Sequence, residues 1–140
     1  MDQMCEFLAN NDMLTDLDLS YCQFSIEQMT QIFIALKGTL CLTNLNIAFN
    51  TNEYARYPMH SQKLDDAMID LFEQPLKLVH LDLSGLNLGE KVLVLGPSLV
   101  KSLSLQSIHL HNNNIEDVVK QELYDIFRIR LGIRSTKTDI

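Results

Sequence analysis

One phrase recurs along this chain. Leu14–Phe24 reads LTDLDLSYCQF, Leu42–Asn50 reads LTNLNIAFN, Leu78–Leu88 reads LVHLDLSGLNL and Leu105–Ile115 reads LQSIHLHNNNI. These are four copies of L-x-x-L-x-L-x-x-N/C-x-L, with Leu86 in the ninth place of the third as the departure. Their first leucines are spaced by 28, 36 and 27 residues (14 to 42, 42 to 78, 78 to 105). A single match would say little, but four in register over most of the chain constrain the fold more than any other feature.

The physics of the phrase is direct. A period of two sends its leucines to one face of a short strand and the residues between them to the other. Strands are therefore expected at Asp16–Ser20, Asn44–Ala48, His80–Ser84 and Ser107–His111. Between them the apolar spacing becomes helical: Met29, Ile32, Phe33 and Leu36; Leu64, Met68, Leu71 and Phe72; Val119, Leu123, Ile126 and Phe127. Each set is one stripe of an amphipathic helix. Helices are expected near 25–37, 63–73, 90–102 and 117–130, the first opened by a capping box at Ser25 and Gln28. Neither a strand nor a helix of this kind buries its apolar face alone, so the units stack into a curved array, strands inside and helices outside.

These motifs are similar to those of the ribonuclease-inhibitor-like class of leucine-rich repeat proteins, which includes immune-sensor arrays, a GTPase regulator and ciliary scaffolds. The resemblance covers about Leu14–Leu131. It implies an α/β solenoid, a short horseshoe of about four parallel strands on a concave face with helices on the convex face, and recognition of proteins by that concave face. Which protein is not implied, because fold does not fix function. One domain is expected over residues 1–140.

Three departures from the pattern carry their own expectations. Asn or Cys in the ninth place bonds the backbone of the turn; Leu86 cannot, so the third turn should be looser. Gly96-Pro97 falls within a helical stretch, where proline removes a hydrogen bond and clashes with the preceding turn. That helix should be broken, with Pro97 restarting a short second piece. About eight extra residues fall within Thr51–Gln62, expected on the rim after the second strand. They bring Tyr54, Arg56 and Tyr57, types enriched at interface hot spots. They either bind a partner or fold back on the rim.

The strand face itself offers Asp16, Asp18 and Ser20; Asn44, Asn46 and Ala48; His80, Asp82 and Ser84; and Ser107, His109 and His111. It grades from acidic to histidine-rich, and Asp82 should lie beside His109. The group His80, Asp82, His109 and His111 invites a metal or acid–base reading, against which an open, shallow face excludes no water. No phosphate loop, nucleophile elbow or metal-spaced histidine helix occurs. No catalysis and no cofactor are expected.

Charge bears on the partner. The chain carries −7 overall, which argues against nucleic acid, whose affinity comes mainly from neutralised phosphates. Residues 1–36 hold Asp2, Glu6, Asp12, Asp16, Asp18 and Glu27 with no Lys or Arg, a balance of −6, whereas 126–140 hold Arg128, Arg130, Arg134 and Lys137 against Asp139, a balance of +3. The basic tail, 128–140, is either solvated or directed at an acidic neighbour. No apolar run is long enough to span a bilayer, the acidic start lacks a signal-peptide pattern, and Cys5, Cys22 and Cys41 suit reduced, buried thiols inside the cell.

The reading that results is a scaffold or adaptor subunit binding protein partners in a multi-subunit complex, cytoplasmic or organellar, with a ciliary or other large assembly among the options. A piece of a longer leucine-rich repeat receptor or regulator is the alternative, and an enzyme or metal site on the strand face is the reading from another class. Four strands span only about 15 Å, so contact through an edge, the rim or the tail is favoured over engulfment.

Overall fold

Residues 1–50, 58–130 and 137–139 are described by the computed structural model, with side chains described within 1–50 and 61–127. In chain order the elements are helix α1 (Asp2–Ala9), strand β1 (Asp16–Asp18), α2 (Ile26–Leu36), β2 (Asn44–Asn46), α3 (Pro58–Phe72), β3 (His80–Asp82), a 3-10 turn (Gly89–Lys91) running into α4 (Val92–Lys101), β4 (Ser107–His109), α5 (Asp117–Arg130) and β5 (Lys137–Asp139). The strands form one parallel sheet in the order β1-β2-β3-β4-β5. Each strand pairs with the equivalent residues of the next repeat: Leu17 with Leu45, Leu45 with Leu81, and Leu81 with Ile108.

The apolar half of the phrase makes the core, as its periodicity requires. Leu45, Leu81 and Ile108 are at most 2% exposed, and Phe33 meets Phe72 edge-on at 6.2 Å between ring centres. The capping box forms: Ser25 Oγ accepts from Gln28 N–H and Gln28 Oε1 accepts from Ser25 N–H. Helices of successive repeats are tied by ion pairs from Lys37 to Asp70, Lys91 to Asp65 and Lys101 to Glu73, each 2.6 Å long.

Several expectations are corrected. The regular strands are three residues long rather than five, because the chain turns away through left-handed backbone at the eighth and tenth places: Tyr21 and Gln23, Phe49, Gly85 and Asn87, Asn112 and Asn114 all have φ between 53° and 67°. The last residues of the tail supply a fifth strand, since the outer edge of β4 offers unpaired backbone groups that β5 satisfies. Helix α3 begins at Pro58, inside the stretch read as a rim loop; proline suits a first helical turn, whose N–H groups have no partner in the helix. Helix α4 is not broken at Pro97. Pro97 is exposed, so the one lost bond faces water, while Val92, Leu95 and Leu99 hold both halves on the core.

The ninth-position residues explain two further corrections. Asn113 donates to Leu83 O and Leu110 O and accepts from the N–H of Leu86 and Leu88. Asn50 likewise donates to Leu19 O and Ile47 O and accepts from Phe24 N–H. Each asparagine thus secures the turn of the repeat before its own. The third turn, expected to be loose at Leu86, is pinned by Asn113. Cys22 is exposed, and Cys5 and Cys41 are half-buried rather than buried. Leu86, fully buried, cannot perform this service for the turn of the second repeat, which is where the inserted residues enter the sequence.

Candidate functional site

Alternation along the strands places two polar rows on the face opposite the core. One row runs Asp16, Asn44, His80, Ser107, and the other Asp18, Asn46, Asp82, His109. Asp82 and His109 are register partners, as the repeat alignment requires. Asp16, Asp18, Asn44, Asn46, His80, Asp82 and His109 line one open, shallow hollow, floored by Leu17, Leu45 and Leu81. His111 stands outside it, with its ring 6.2 Å from that of His109.

Hydrogen bonds fix the acidic end of this face. Asn44 Nδ2 donates to Asp16, and Asn46 Nδ2 donates to Asp18 Oδ2 at 3.1 Å. Asp18 Oδ1 also accepts from the Ser20 hydroxyl at 2.7 Å and from Ser20 N–H at 2.9 Å. The carboxyl of Asp16 is held below its ordinary value by the Thr15 hydroxyl and then by Asn44; that of Asp18 is held down by the Ser20 hydroxyl, then by the Ser20 N–H, with a smaller part from Asn46. Hydrogen bonds to the charged form have this sign. Both groups therefore stay anionic and oriented at neutral pH. At the other end, Ser107 Oγ lies 3.2 Å from His109 Nε2. Among the described residues, no three His, Cys, Asp or Glu side chains are placed to hold one metal ion.

The rim at the far end of the strands adds an element that the repeat pattern alone does not announce. Tyr21 and Phe49 occupy the eighth place of the first two repeats, so they rise from neighbouring turns and stack at 4.8 Å with 6° between their planes. That distance is the spacing of the strands beneath them. The third member of this column is Gly85, where an added Cβ would lie 2.2 Å from the Phe49 ring; its φ of +67° also suits glycine. Tyr21 is 69% exposed. In the sequence these are two aromatics and a glycine at the eighth place of adjacent repeats, a place the repeat pattern leaves variable, so their contact emerges only once the turns are stacked. Phe49 and Asn50 lead directly into the insertion, whose Tyr54, Arg56 and Tyr57 lie outside the described residues. His80 and His109 are brought to the hollow with the acids, while the rim and the hollow occupy different parts of the same face.

A second polar group joins the helices of neighbouring repeats. Lys91, from the 3-10 turn, bonds both Ser61 and Asp65 of α3, and Asp65 is only 3% exposed. It lies on the helical side and serves packing.

No family model matches the chain, and no curated protein matches it. Among solved structures, the chain is similar to the tropomodulin C-terminal domain from Caenorhabditis elegans, with a TM-score of 0.73 at 15% identity over 99% of this chain and 81% of that one. The likeness establishes a fold of the leucine-rich repeat type, without assigning it to the ribonuclease-inhibitor-like class. Among the described residues, no helix is long and apolar enough to cross a membrane.

Proposed function

We propose that this chain is a non-catalytic protein-interaction module, a short repeat solenoid acting as a scaffold or adaptor within a larger intracellular assembly, and that its partner is held at the strand-end rim. The observation that carries this reading is the Tyr21–Phe49 stack. Aromatic residues in left-handed backbone are strained, yet the fold keeps two of them side by side with Tyr21 open to solvent. Large, rigid aromatic area is what protein interfaces concentrate at their centres. The inserted Tyr54, Arg56 and Tyr57 follow directly in sequence and supply more residues of the same kind. The polar hollow supports the contact: it is too open to exclude water, which suits a second, electrostatic part of a protein interface better than a reaction site.

The test is capture of the partner from extract of the native source by the full chain and three variants. Tyr21→Ala, and separately Tyr54→Ala with Tyr57→Ala, should each weaken capture by about 1 to 3 kcal/mol without lowering the melting temperature of the second. Full yield from both, with loss in Asp18→Ala plus Asp82→Ala, would move the contact from the rim to the hollow. No captured protein with any form would remove the reading.

A further inference from the structure

From the spacing of acids across the sheet, we infer that the polar face takes up a basic segment of a partner protein in polyproline II conformation, laid across the strands with Lys or Arg at every third residue. The inference rests on the protein-interaction reading above and names the chemistry of the partner.

The fifth place of the repeats runs, strand by strand in register, Asp18, Asn46, Asp82, His109 and Asp139. An acid therefore stands on every second strand. Neighbouring strands lie about 4.8 Å apart, so these acids recur at about 9.6 Å. A polyproline II helix has three residues per turn and rises about 3.1 Å per residue, so every third side chain returns to one side at about 9.3 Å. The two repeats match. A β-strand laid the same way returns a side chain to one side at about 6.7 Å and is out of step by the second acid.

The carboxyls are held ready for such a ligand. Asp18 Oδ1 accepts from Ser20 N–H and Asp82 Oδ1 from Ser84 N–H, both at 2.9 Å, and Asn46 between them repeats the arrangement with Ala48 N–H at 3.1 Å. One oxygen of each carboxyl is thus anchored to backbone, which fixes the direction of the other. Asn46 Nδ2 donates to Asp18 Oδ2, whereas among the described residues Asp82 Oδ2 accepts nothing. Ser84 follows Asp82 on the same side of the chain and is 3% exposed, with its Oγ unpartnered. A polyproline II backbone makes no hydrogen bonds of its own, so a ligand carbonyl above Asp82 supplies the acceptor that this hydroxyl lacks.

Charge and floor select the occupant. The hollow holds Asp16, Asp18 and Asp82, and no Lys or Arg lines it. Its floor of Leu17, Leu45 and Leu81 suits the methylene stems of Lys or Arg, whose heads then reach the carboxylates. A segment with its backbone in water needs no deep cleft, which agrees with the open form of the face. The site goes beyond the rim reading, since it does not use the aromatic stack.

The test uses the full chain and a fluorescein-labelled nonapeptide of three Arg-Pro-Pro units, read by anisotropy, beside an isomer with its three arginines adjacent. The spaced peptide should bind about fivefold or more tightly than its isomer. Asp18→Asn and Asp82→Asn keep the oxygen that accepts from backbone and remove the charge, and each should weaken the spaced peptide about fivefold. Glu122→Gln, an equal change of charge at an exposed place on α5, should leave it unchanged. Equal affinity of the two peptides, no saturable binding of either, or equal losses in all three variants would overturn the inference. A partner captured from extract that is lost with Tyr21→Ala, yet kept in full by Asp18→Asn with Asp82→Asn, would overturn it while leaving the rim reading in place.

Discussion

Asn113 and Cys22 occupy the same place in the repeat and do opposite things. Asn113 is 1% exposed and makes four bonds to backbone groups, three of them across the boundary to the preceding repeat. Replacing it with Ala would leave buried donors and acceptors without partners, each costing about 1 to 3 kcal/mol. Asn113→Ala is expected to lose about 2 to 4 kcal/mol of stability, whereas Cys22→Ala, at an exposed site with a single long contact from its thiol to Ser20 O, should stay within about 0.5 kcal/mol. Denaturant titration of the two variants distinguishes them; equal effects would mean that the ninth place has no such role. A pattern match treats Asn and Cys there as equivalent, and only the direction of the bonds shows that the residue serves its predecessor.

At the scale of elements, the strands and most helices were legible because each is an amphipathic unit with its own period. Leu17, Leu45, Leu81 and Ile108 fall in one row for that reason. What escaped the reading depends on partners distant in sequence. The course of α4 through Pro97 depends on the core contacts of Val92, Leu95 and Leu99, which outweigh one missing bond. The start of α3 at Pro58 could not be told from a loop by its mixed composition. Its buried Asp65 is legible only once Lys91 is placed beside it from the next repeat. This pair and the exposed one between Lys37 and Asp70 have equal lengths and unequal surroundings, since Asp65 is buried and Asp70 is 59% exposed. Lys91→Met should therefore cost about 3 kcal/mol by removing a charge partner of a buried carboxylate, and Lys37→Met less than about 1 kcal/mol. Thermal melts of the two variants check the contrast, which fails if they melt together.

For the whole molecule, the polarity of the stack decides what the surface offers. Leu17 of β1 is half-buried whereas Leu45, Leu81 and Ile108 of β2 to β4 are buried; charge also changes along the strand face, from Asp16 and Asp18 of β1 to the histidines of β3 and β4. The acidic end of the polar face and the aromatic rim thus both belong to the first two repeats, Asp16 and Asp18 on the strand and Tyr21 and Phe49 on the turns. The acidic and histidine rows were readable from position within the phrase. The aromatic stack was not, because the eighth place is variable in the pattern and its residues meet only after the turns are stacked. The proposed partner contact lies on this rim, and hydrogen exchange of the protein alone and in the captured complex tests it directly. It predicts slowed exchange in peptides covering Tyr21–Phe24 and Phe49–Tyr57, with the outward faces of α2 and α3 unchanged. Protection confined to those helices, with the rim exchanging as in the free protein, would contradict it.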